Sequence, residues 1–195
     1  MANNLYLTGV GGQGVIRLGQ IIAAYAMEEG QKVKLFKQVG MAQRGGPVHC
    51  EIRIGEVFGS RIPPYSADVV AAMEISEALK AAEFIRPGGT VILNESKVYP
   101  IDIMIKPEMY PALSEIEEIF HRLQAKIIKL DAAAIAEQLG LPIAENIVLL
   151  GAISFVSSFN REQMIKVLKN NIPRQIEKNI EAFSAGYKVA EGMLL

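Results

Sequence analysis

The chain has 195 residues, of which 50% are hydrophobic and 21% are charged. This length and apolar content predict one domain over residues 1–195 with a sizeable buried core, and exclude a disordered chain. The net charge of -1 lacks the basic excess of a dedicated nucleic-acid binder, so we expect no nucleic-acid partner. The single cysteine, Cys50, excludes an internal disulfide and any metal or iron–sulfur site that needs several thiolates of this chain.

Two features of the sequence bear on location. The chain starts without a basic region followed by a long apolar run, so no secretory signal is visible. The longest strongly apolar stretch, residues 147–156, is interrupted by Gly151 and Ser154 and falls well short of the roughly 20 residues that a membrane span needs. Because a lone cysteine suits a reducing compartment, we predict a cytoplasmic protein with no membrane contact.

The first half of the chain predicts a strand–helix–strand unit, which implies parallel strands joined by a right-handed crossover. A long glycine-rich loop and an alternating polar–apolar hairpin follow it. The predicted elements are a strand at 5–8, a helix at 15–29, a strand at 33–36, a loop at 38–47 and a hairpin with arms at 49–54 and 57–58.

The second half alternates between apolar strands and amphipathic helices. Capping residues support several of the helix starts, including Ser114 with Glu117, Asp131, and Asn160 with Gln163. The predicted strands lie at 69–73, 90–93 and 127–128, and the predicted helices at 76–85, 114–123, 131–139, 146–156, 160 onward and 173 onward. These elements predict an α/β protein with three α/β/α layers and a Rossmann-like, largely parallel sheet that carries an antiparallel hairpin.

The segment that follows the first strand carries the clearest motif. Residues 9–14 read GVGGQG and satisfy the pattern G-x-G-x-x-G between a predicted strand and a predicted helix. In this pattern Gly9 permits a tight turn, Gly11 lets the backbone approach a ligand, and Gly14 lets the helix pack on the sheet. The start of the helix then offers free N–H groups to an anion.

Three interpretations of this turn remain open at the level of the sequence. A bound NAD(P) requires an acid at the end of the second strand, but residues 36–38 read FKQ. Another phosphate-bearing ligand needs no such acid. Alternatively, the glycines form a tight turn against another subunit and bind no small molecule.

The predicted loop contains a second candidate, Gln43-Arg44-Gly45-Gly46. The two-pronged guanidinium of Arg44 suits a carboxylate or a phosphate. The alternative is a solvated arginine that fixes its own loop by donating to carbonyl groups.

The remaining polar candidates form no catalytic set. His49 and His121 are the only histidines, and neither belongs to a sequence motif for a metal or a catalytic base. Cys50 lies in a predicted strand, where we expect it to be buried and inert. Glu74 directly follows a predicted strand, at the sheet edge where α/β proteins collect their sites, or it is simply a helix-entry carboxylate. We assign no catalytic or metal-binding residue.

Taken together, the motifs resemble the gamma-type subunit of 2-oxoacid:ferredoxin oxidoreductases. The glycine turn and the sequence GMAQRGG at 40–46 are the most specific matches, and the second is most similar to the small beta subunit of the indolepyruvate enzyme. Further matches follow in family order over nearly the whole chain, at 67–74, 87–89, 150–152 and 182–186.

This resemblance implies a non-redox subunit that is inactive alone. The family's complexes decarboxylate a 2-oxoacid such as indolepyruvate, pyruvate or 2-oxoglutarate, use coenzyme A as cosubstrate and pass electrons to ferredoxin. Thiamine diphosphate and the iron–sulfur clusters are expected on partner subunits, with none bound by this chain alone. The resemblance also implies a loop that faces a ligand or the partner subunit, formed by Gly9, Gly11, Gly12, Gln13, Gly14, Gln43, Arg44, Gly45 and Gly46.

Two other functions compete with this one. A free-standing Rossmann-type nucleotide enzyme is disfavoured by the missing acid beside Lys37 and Gln38. A small-ligand binding module is disfavoured because the sequence carries no effector or DNA-binding appendage.

Overall fold

The computed structural model describes residues 3–40 and 45–194. Its centre is a mixed sheet of six strands in the order β2-β3-β1-β4-β5-β6. The pairs β1–β4, β4–β5 and β5–β6 are parallel, whereas β3 runs antiparallel to both of its neighbours, β1 and β2. The strands are β1 (Asn3–Val10), β2 (Val33–Val39), β3 (Pro47–Ile54), β4 (Ala67–Ala72), β5 (Ile85–Asn94) and β6 (Lys126–Leu130).

Helices cover both faces of this sheet, so the predicted three-layer, largely parallel architecture with an antiparallel pair is confirmed. The larger core lies under α1 and the C-terminal helices, and the smaller core lies under α2 and α4. The described helices are α1 (Val15–Glu28), α2 (Ile75–Ala81), α3 (Ile101–Ile105), α4 (Leu113–Arg122), α5 (Ala132–Gln138), α6 (Glu145–Val156), α7 (Arg161–Asn171) and α8 (Ile176–Leu194). No helix in these described ranges is both long enough and apolar enough to cross a bilayer.

The hairpin has a different partner from the predicted one. Residues 57–58 form no strand, and β3 instead pairs with β2 across residues 40–46. As a result β3 lies between β1 and β2, so the predicted strand–helix–strand unit does not place its two strands side by side. Both faces of β3 are largely buried, as expected of an interior strand.

Two local boundaries also differ from the predicted ones. Pro87, Gly88 and Gly89 do not separate α2 from a strand but lie inside β5, where the pairing with β4 shifts register between Ala67 and Val69. Such irregularities in a ladder tolerate glycine and proline. The last helix begins at Ile176, three residues after Pro173.

The start of α4 lies one residue before the predicted capping residue. The carboxylate of Glu115 accepts a hydrogen bond from the backbone N–H of Ala112 at 3.0 Å. The predicted partner of Ser114, Glu117, forms an ion pair with Lys129 at 2.6 Å and so is engaged elsewhere. The cap predicted at Asp131 is confirmed, because its side chain accepts from Ala134 N. The side chain of Asn160 likewise accepts from Gln163 N, but the predicted capping box is not completed, since Asn160 N donates to the Tyr25 hydroxyl and the Gln163 amide donates to Glu28.

Candidate functional site

The glycine turn lies where β1 meets α1, at the edge of the sheet where the parallel strands end. Gly12 has a φ of 109° and Gly14 a φ of 84°, which are backbone conformations that side chains disfavour. Gly9 is required for space, since a Cβ there would lie 2.9 Å from the Cβ of Met73. A Cβ at Gly14 would lie 2.5 Å from Nδ2 of Asn146 in α6. The turn is therefore fixed by conformation at two positions and by packing against β4 and α6.

The loop that carries Gly45 and Gly46 lies directly against the glycine turn. Gly11 N donates to the carbonyl of Gly46 at 2.8 Å, and Gly45 N donates to the carbonyl of Gly11 at 3.2 Å. Backbone hydrogen bonds therefore join the two motifs, as expected for loops that leave the same sheet edge. Gln43 and Arg44 lie outside the described residues.

A depression of about 310 Å³ borders the glycine turn. Among the described residues that line it, Arg17 carries the only charge, and the rest are glycine, valine or isoleucine. The first N–H groups of α1 are free of helical partners, as at any helix start. This lining suits an anionic group or the backbone of a partner, and it presents neither a nucleophile nor a general base. The lining residues are Val10, Gly11, Gly12, Gly14, Val15, Ile16, Arg17, Val39 and Val48.

The side chain of Gln13 turns inward rather than toward this depression. Its Oε1 accepts from Val10 N, and its Nε2 donates to the Met73 carbonyl, both at 2.9 Å. Both ends of the amide are thus engaged by backbone groups of β1 and of the residue after β4. Gln13 holds the turn in shape, and any contact that it makes with a ligand or partner would use its backbone.

Glu74 caps α2 and is fully buried. Its Oε2 accepts from the N–H of Ser76 at 2.7 Å and also from the Ser76 hydroxyl, while its Oε1 accepts from the Tyr110 hydroxyl at 2.7 Å. Burial, together with the hydrogen bond to Glu74, raises the pKa of Tyr110 above its ordinary value, so this phenol stays protonated. Of the two interpretations of Glu74, the contacts favour the helix-entry carboxylate.

A second side-chain amide, that of Asn94 at the end of β5, adds to the polar groups at this edge. Its Nδ2 contacts the Met73 carbonyl and Glu145 Oε1, and its Oδ1 accepts from Ala132 N at 3.0 Å. Asn94 and Tyr110 were not singled out from the sequence. The rule that drew attention to Glu74, a polar residue directly after a parallel strand, would also have found Asn94.

An exposed apolar surface adjoins the two glycine motifs. Ile101 N donates to the Gly45 carbonyl at 3.0 Å, which places the start of α3 against that loop. Six large apolar side chains between residues 98 and 109 are exposed, and Met104 and Ile105 retain 69% and 73% of their accessible area. Exposed large apolar side chains gathered in one short segment are typical of an interface. We call these six residues the apolar segment: Val98, Tyr99, Ile101, Met104, Ile105 and Met109.

The two histidines lie away from the glycine turn depression. His49 packs against the ring of Tyr6, with 5.2 Å between the ring centroids, and its Nε2 lies 3.6 Å from Oε1 of the buried Glu51. His121 is exposed near the end of α4. Cys50 is a buried free cysteine in β3, and burial raises the pKa of its thiol to about 12.

The carboxylate of Glu51, which follows Cys50 and lies on the other face of β3, is fully buried. Its Oε1 forms an ion pair with Arg61 Nε at 2.8 Å, and its Oε2 accepts a hydrogen bond from the N–H of Ile62. Burial alone would raise its pKa, but the adjacent His49 imidazole, the hydrogen bond from the Ile62 N–H and the charge of Arg61 together lower it below the ordinary value. This group stays ionised and ties the 55–66 connection to the sheet.

The strand order argues against a dinucleotide at the glycine turn. In the nucleotide-binding arrangement, the strand after the first helix lies beside the first strand and supplies the acid for the ribose. Here β3 separates the two strands, which puts β2 about 10 Å from β1 at the usual strand spacing. The end of β2 carries Lys37 and Gln38 instead of an acid.

A cluster of metal-binding side chains is also absent from the described residues. Across residues 3–40 and 45–194, no three His, Cys, Asp or Glu side chains come together as a metal site would require.

Sequence comparison identifies the family. A family model described as pyruvate ferredoxin/flavodoxin oxidoreductase matches residues 4–189. The chain belongs to this family. It is 39% identical over 193 residues to the indolepyruvate oxidoreductase subunit IorB of Methanothermobacter thermautotrophicus, covering 97% of this chain and 98% of that protein.

Two solved structures share the fold of this chain. A pyruvate oxidoreductase subunit from Thermotoga maritima superposes with a TM-score of 0.74 at 23% identity, covering 96% of each chain. A 2-oxoglutarate:ferredoxin oxidoreductase from Magnetococcus marinus, with 2-oxoglutarate, coenzyme A and succinyl-CoA bound, gives a TM-score of 0.77 at 21% identity. That match covers 98% of this chain but only 31% of the other, so the fold recurs there as part of a longer polypeptide.

Proposed function

We propose that this chain is the small, non-redox subunit of a 2-oxoacid:ferredoxin oxidoreductase, with indolepyruvate as its 2-oxoacid. In this reaction the bond between the carboxylate and the keto carbon breaks, carbon dioxide leaves, the acyl group passes to the thiol of coenzyme A, and the electrons released pass to ferredoxin. The full-length similarity to an indolepyruvate oxidoreductase subunit supports the choice of substrate. Pyruvate and 2-oxoglutarate, named for the two structural relatives, are the alternatives that the experiment separates.

The cofactors of this reaction belong to the partner subunits in our proposal. Thiamine diphosphate supplies the carbanion chemistry and iron–sulfur clusters carry the electrons, and a chain with one buried cysteine has no thiolate set for a cluster. Coenzyme A enters as cosubstrate, which agrees with its presence in the structural relative from Magnetococcus marinus. A free, buried thiol also fits the cytoplasmic location proposed for the complex.

One observation carries the proposal for the site. The glycine turn and the Gly45–Gly46 pair form one backbone surface, and the apolar segment continues it through the hydrogen bond from Ile101 N to the Gly45 carbonyl. An apolar surface beside bare backbone can bury area against a partner while donating N–H groups to an anion at the interface. We propose that this surface meets the catalytic subunit next to coenzyme A.

Within this surface each predicted residue has a distinct task. Gly9 and Gln13 shape the turn from inside, and Gly11, Gly12 and Gly14 present backbone. Gly45 and Gly46 hold the second loop against Gly11. Gln43 and Arg44 belong to that loop by sequence, and we propose that the guanidinium of Arg44 receives a phosphate of coenzyme A or a carboxylate of the partner.

The direct experiment is affinity purification of the tagged chain from its own cells, followed by an assay of ferredoxin reduction with coenzyme A and each of the three 2-oxoacids. We expect co-purification of a larger subunit with iron–sulfur absorption, the highest kcat/KM with indolepyruvate, and no turnover by the tagged chain alone. A chain that purifies alone and turns over a nucleotide substrate would contradict the proposal. A preference for pyruvate or 2-oxoglutarate would overturn only the choice of indolepyruvate as substrate.

Arg44 gives a sharper test within the purified complex. A charged hydrogen bond contributes roughly 1.5–3 kcal/mol, so Arg44→Ala should raise the KM for coenzyme A or weaken subunit association by about ten- to a hundredfold. Arg44→Lys should restore only part of the effect, because a point charge lacks the two-pronged geometry. Arg122→Ala, at an exposed arginine of α4, is the matched control. If the Arg44→Ala complex assembles and turns over like the wild type, Arg44 is a solvated loop arginine that contacts neither coenzyme A nor the partner.

A further inference from the structure

A groove of about 360 Å³ lies between α1, the start of α6 and the residues that lead into α8. Its floor is apolar and its rim carries two arginines. Cavities of this size with apolar walls and a few polar groups are typical of small-molecule sites. The floor is formed by Ile21, Leu141, Ile147 and Ile172, and the rim carries Arg17 and Arg174.

Neither rim arginine forms an ion pair with a carboxylate among the described residues, whereas Arg86 and Arg122 pair with acids at 2.7 Å. The guanidinium of Arg17 donates to the carbonyl of Asn171, which holds this side chain across the end of the groove. Of the described residues that line the groove, none is acidic. The groove therefore carries two uncompensated positive charges above an apolar floor.

The wall that carries Arg174 is held in a defined shape. Asn179, with only 8% of its surface exposed, donates from Nδ2 to the carbonyls of Arg174 and Gln175 at 3.3 and 2.9 Å. Gln175 has a φ of 52°, an uncommon conformation for a residue other than glycine that these hydrogen bonds hold in place. Asn179 itself is one of the residues that line the groove. The groove is thus a formed cavity with directional polar groups.

We propose that this groove binds a small amphiphilic anion: one carboxylate or phosphate group held between Arg17 and Arg174, with a flat apolar body on the isoleucine and leucine floor. The guanidinium groups match either anion by geometry and charge. The apolar floor gains from burying a ring or short hydrocarbon, at about 25 cal/mol per Å² of apolar surface.

This site differs from the glycine turn depression and does not depend on the proposed function. Arg17 lies between the two cavities and lines both, but Arg174 lines only the groove. A substitution at Arg174 therefore tests the groove without altering the glycine turn.

Isoleucine methyl NMR on the full chain gives a site-resolved test, because groove and apolar-segment isoleucines report separately. The probes are phenylacetate, phenyl phosphate and, as the neutral match, benzyl alcohol. We expect one of the two anions to shift the methyls of Ile21, Ile147 and Ile172 saturably, with those of Ile101 and Ile105 unchanged. Benzyl alcohol should bind at least about ten times more weakly, since it lacks the charge that the arginines recognise.

Variants at the rim complete the test. Arg174→Gln should weaken binding of the anion about tenfold, and 0.5 M NaCl should weaken it in the wild-type chain because both guanidinium groups are exposed. Arg161→Gln, at an exposed arginine on α7, should leave the affinity unchanged. A thermal melt of each variant checks that the fold is intact.

The relative affinity of the two anions decides between a carboxylate and a phosphate as the natural group. Equal binding of benzyl alcohol, wild-type affinity of Arg174→Gln, or shifts confined to the apolar segment would each overturn the proposal. Groove shifts that follow protein concentration and not ligand concentration would mean that a second copy of the chain occupies the groove, which also overturns it.

Discussion

The side-chain amide of Gln13 joins the turn after β1 to the Met73 carbonyl that follows β4, at a distance of 2.9 Å. The same amide accepts from Val10 N at 2.9 Å, so one side chain satisfies a donor and an acceptor that the two strand ends leave free. The residue in the middle of the glycine turn therefore organises the turn from within. The surface available to a ligand or partner is the backbone of the glycines around it.

The variant Gln13→Glu keeps one of these two hydrogen bonds and removes the other. The carboxylate still accepts from Val10 N but no longer donates to the Met73 carbonyl, so we expect a loss of about 1–3 kcal/mol in the free energy of unfolding at pH 7. At pH 4 the loss should shrink, because a protonated carboxyl again has a hydrogen to donate. Urea denaturation at both pH values measures this. Gln20→Glu, at an exposed position of α1, is the control, and equal stability of the two variants would contradict this role of Gln13.

The crossing of α6 and α8 explains two of the glycines in the C-terminal half. A Cβ at Gly186 would lie 1.8 Å from the carbonyl oxygen of Val148, and a Cβ at Gly151 would lie 2.0 Å from that of Phe183. Gly186→Ala should therefore destabilise the fold by about 3 kcal/mol or more, at the upper end of overpacking effects. Gly192→Ala in the same helix meets open space and should be neutral or stabilising by up to about 1 kcal/mol. Thermal melts of the two variants test the crossing, and similar shifts in both would argue against it.

Glu51 should contribute to the acid sensitivity of the fold. Because its folded pKa is lowered, its ionisation contributes stability above the unfolded pKa of about 4.3, and that contribution is lost as the pH falls through the lower folded pKa. Glu51→Gln should cost roughly 1.5–3 kcal/mol at pH 7, the usual contribution of a charged hydrogen bond. The free energy of unfolding of the Glu51→Gln variant should fall less steeply than that of the wild type as the pH is lowered from 5 to 3.

Urea unfolding across this pH range is the measurement for Glu51. Glu56→Gln, at an exposed carboxylate that pairs with Lys32, serves as the control and should follow the wild-type curve. A Glu51→Gln curve parallel to the wild type would show that this carboxylate does not titrate on unfolding.

Cys50 should be unreactive in the folded chain. With a pKa of about 12, only about one thiol in ten thousand is ionised at pH 8, and the group is buried. A disulfide reagent such as dithionitrobenzoate should find no rapidly reacting thiol in the native chain and one per chain in 6 M urea. Rapid reaction of the native chain would place this residue at an accessible site.

The local elements could largely be predicted from the sequence, because local patterns encode them. The apolar run of β1, the GVGGQG turn and the periodicity of α1 predict the first unit to within about two residues at each end. The caps at Asp131 and Asn160 likewise depend on neighbours within three residues. The pairing of β3 between β1 and β2 is non-local, and the nearby Gly55 and Glu56 favoured a shorter hairpin that the chain does not form.

The candidate site divides in the same way. The proximity of Gly11 to Gly45 and Gly46 followed from the rule that loops after parallel strands share a sheet edge. The inward orientation of Gln13 did not follow, because its acceptor, Met73, is 60 residues away in the sequence. The apolar segment was also missed, since a five-residue helix has too few turns for periodicity to reveal.

Hydrogen–deuterium exchange of the chain alone and within the purified complex locates the surface through which this subunit docks. We expect strong additional protection on assembly at residues 10–17 and 98–109, which carry the glycine turn and the apolar segment. The exposed side of α7 and the β6–α5 connection serve as internal references and should exchange equally in both samples. Protection confined to those reference regions, with the glycine turn and apolar segment unchanged, would contradict the claim that the subunit docks through this sheet edge.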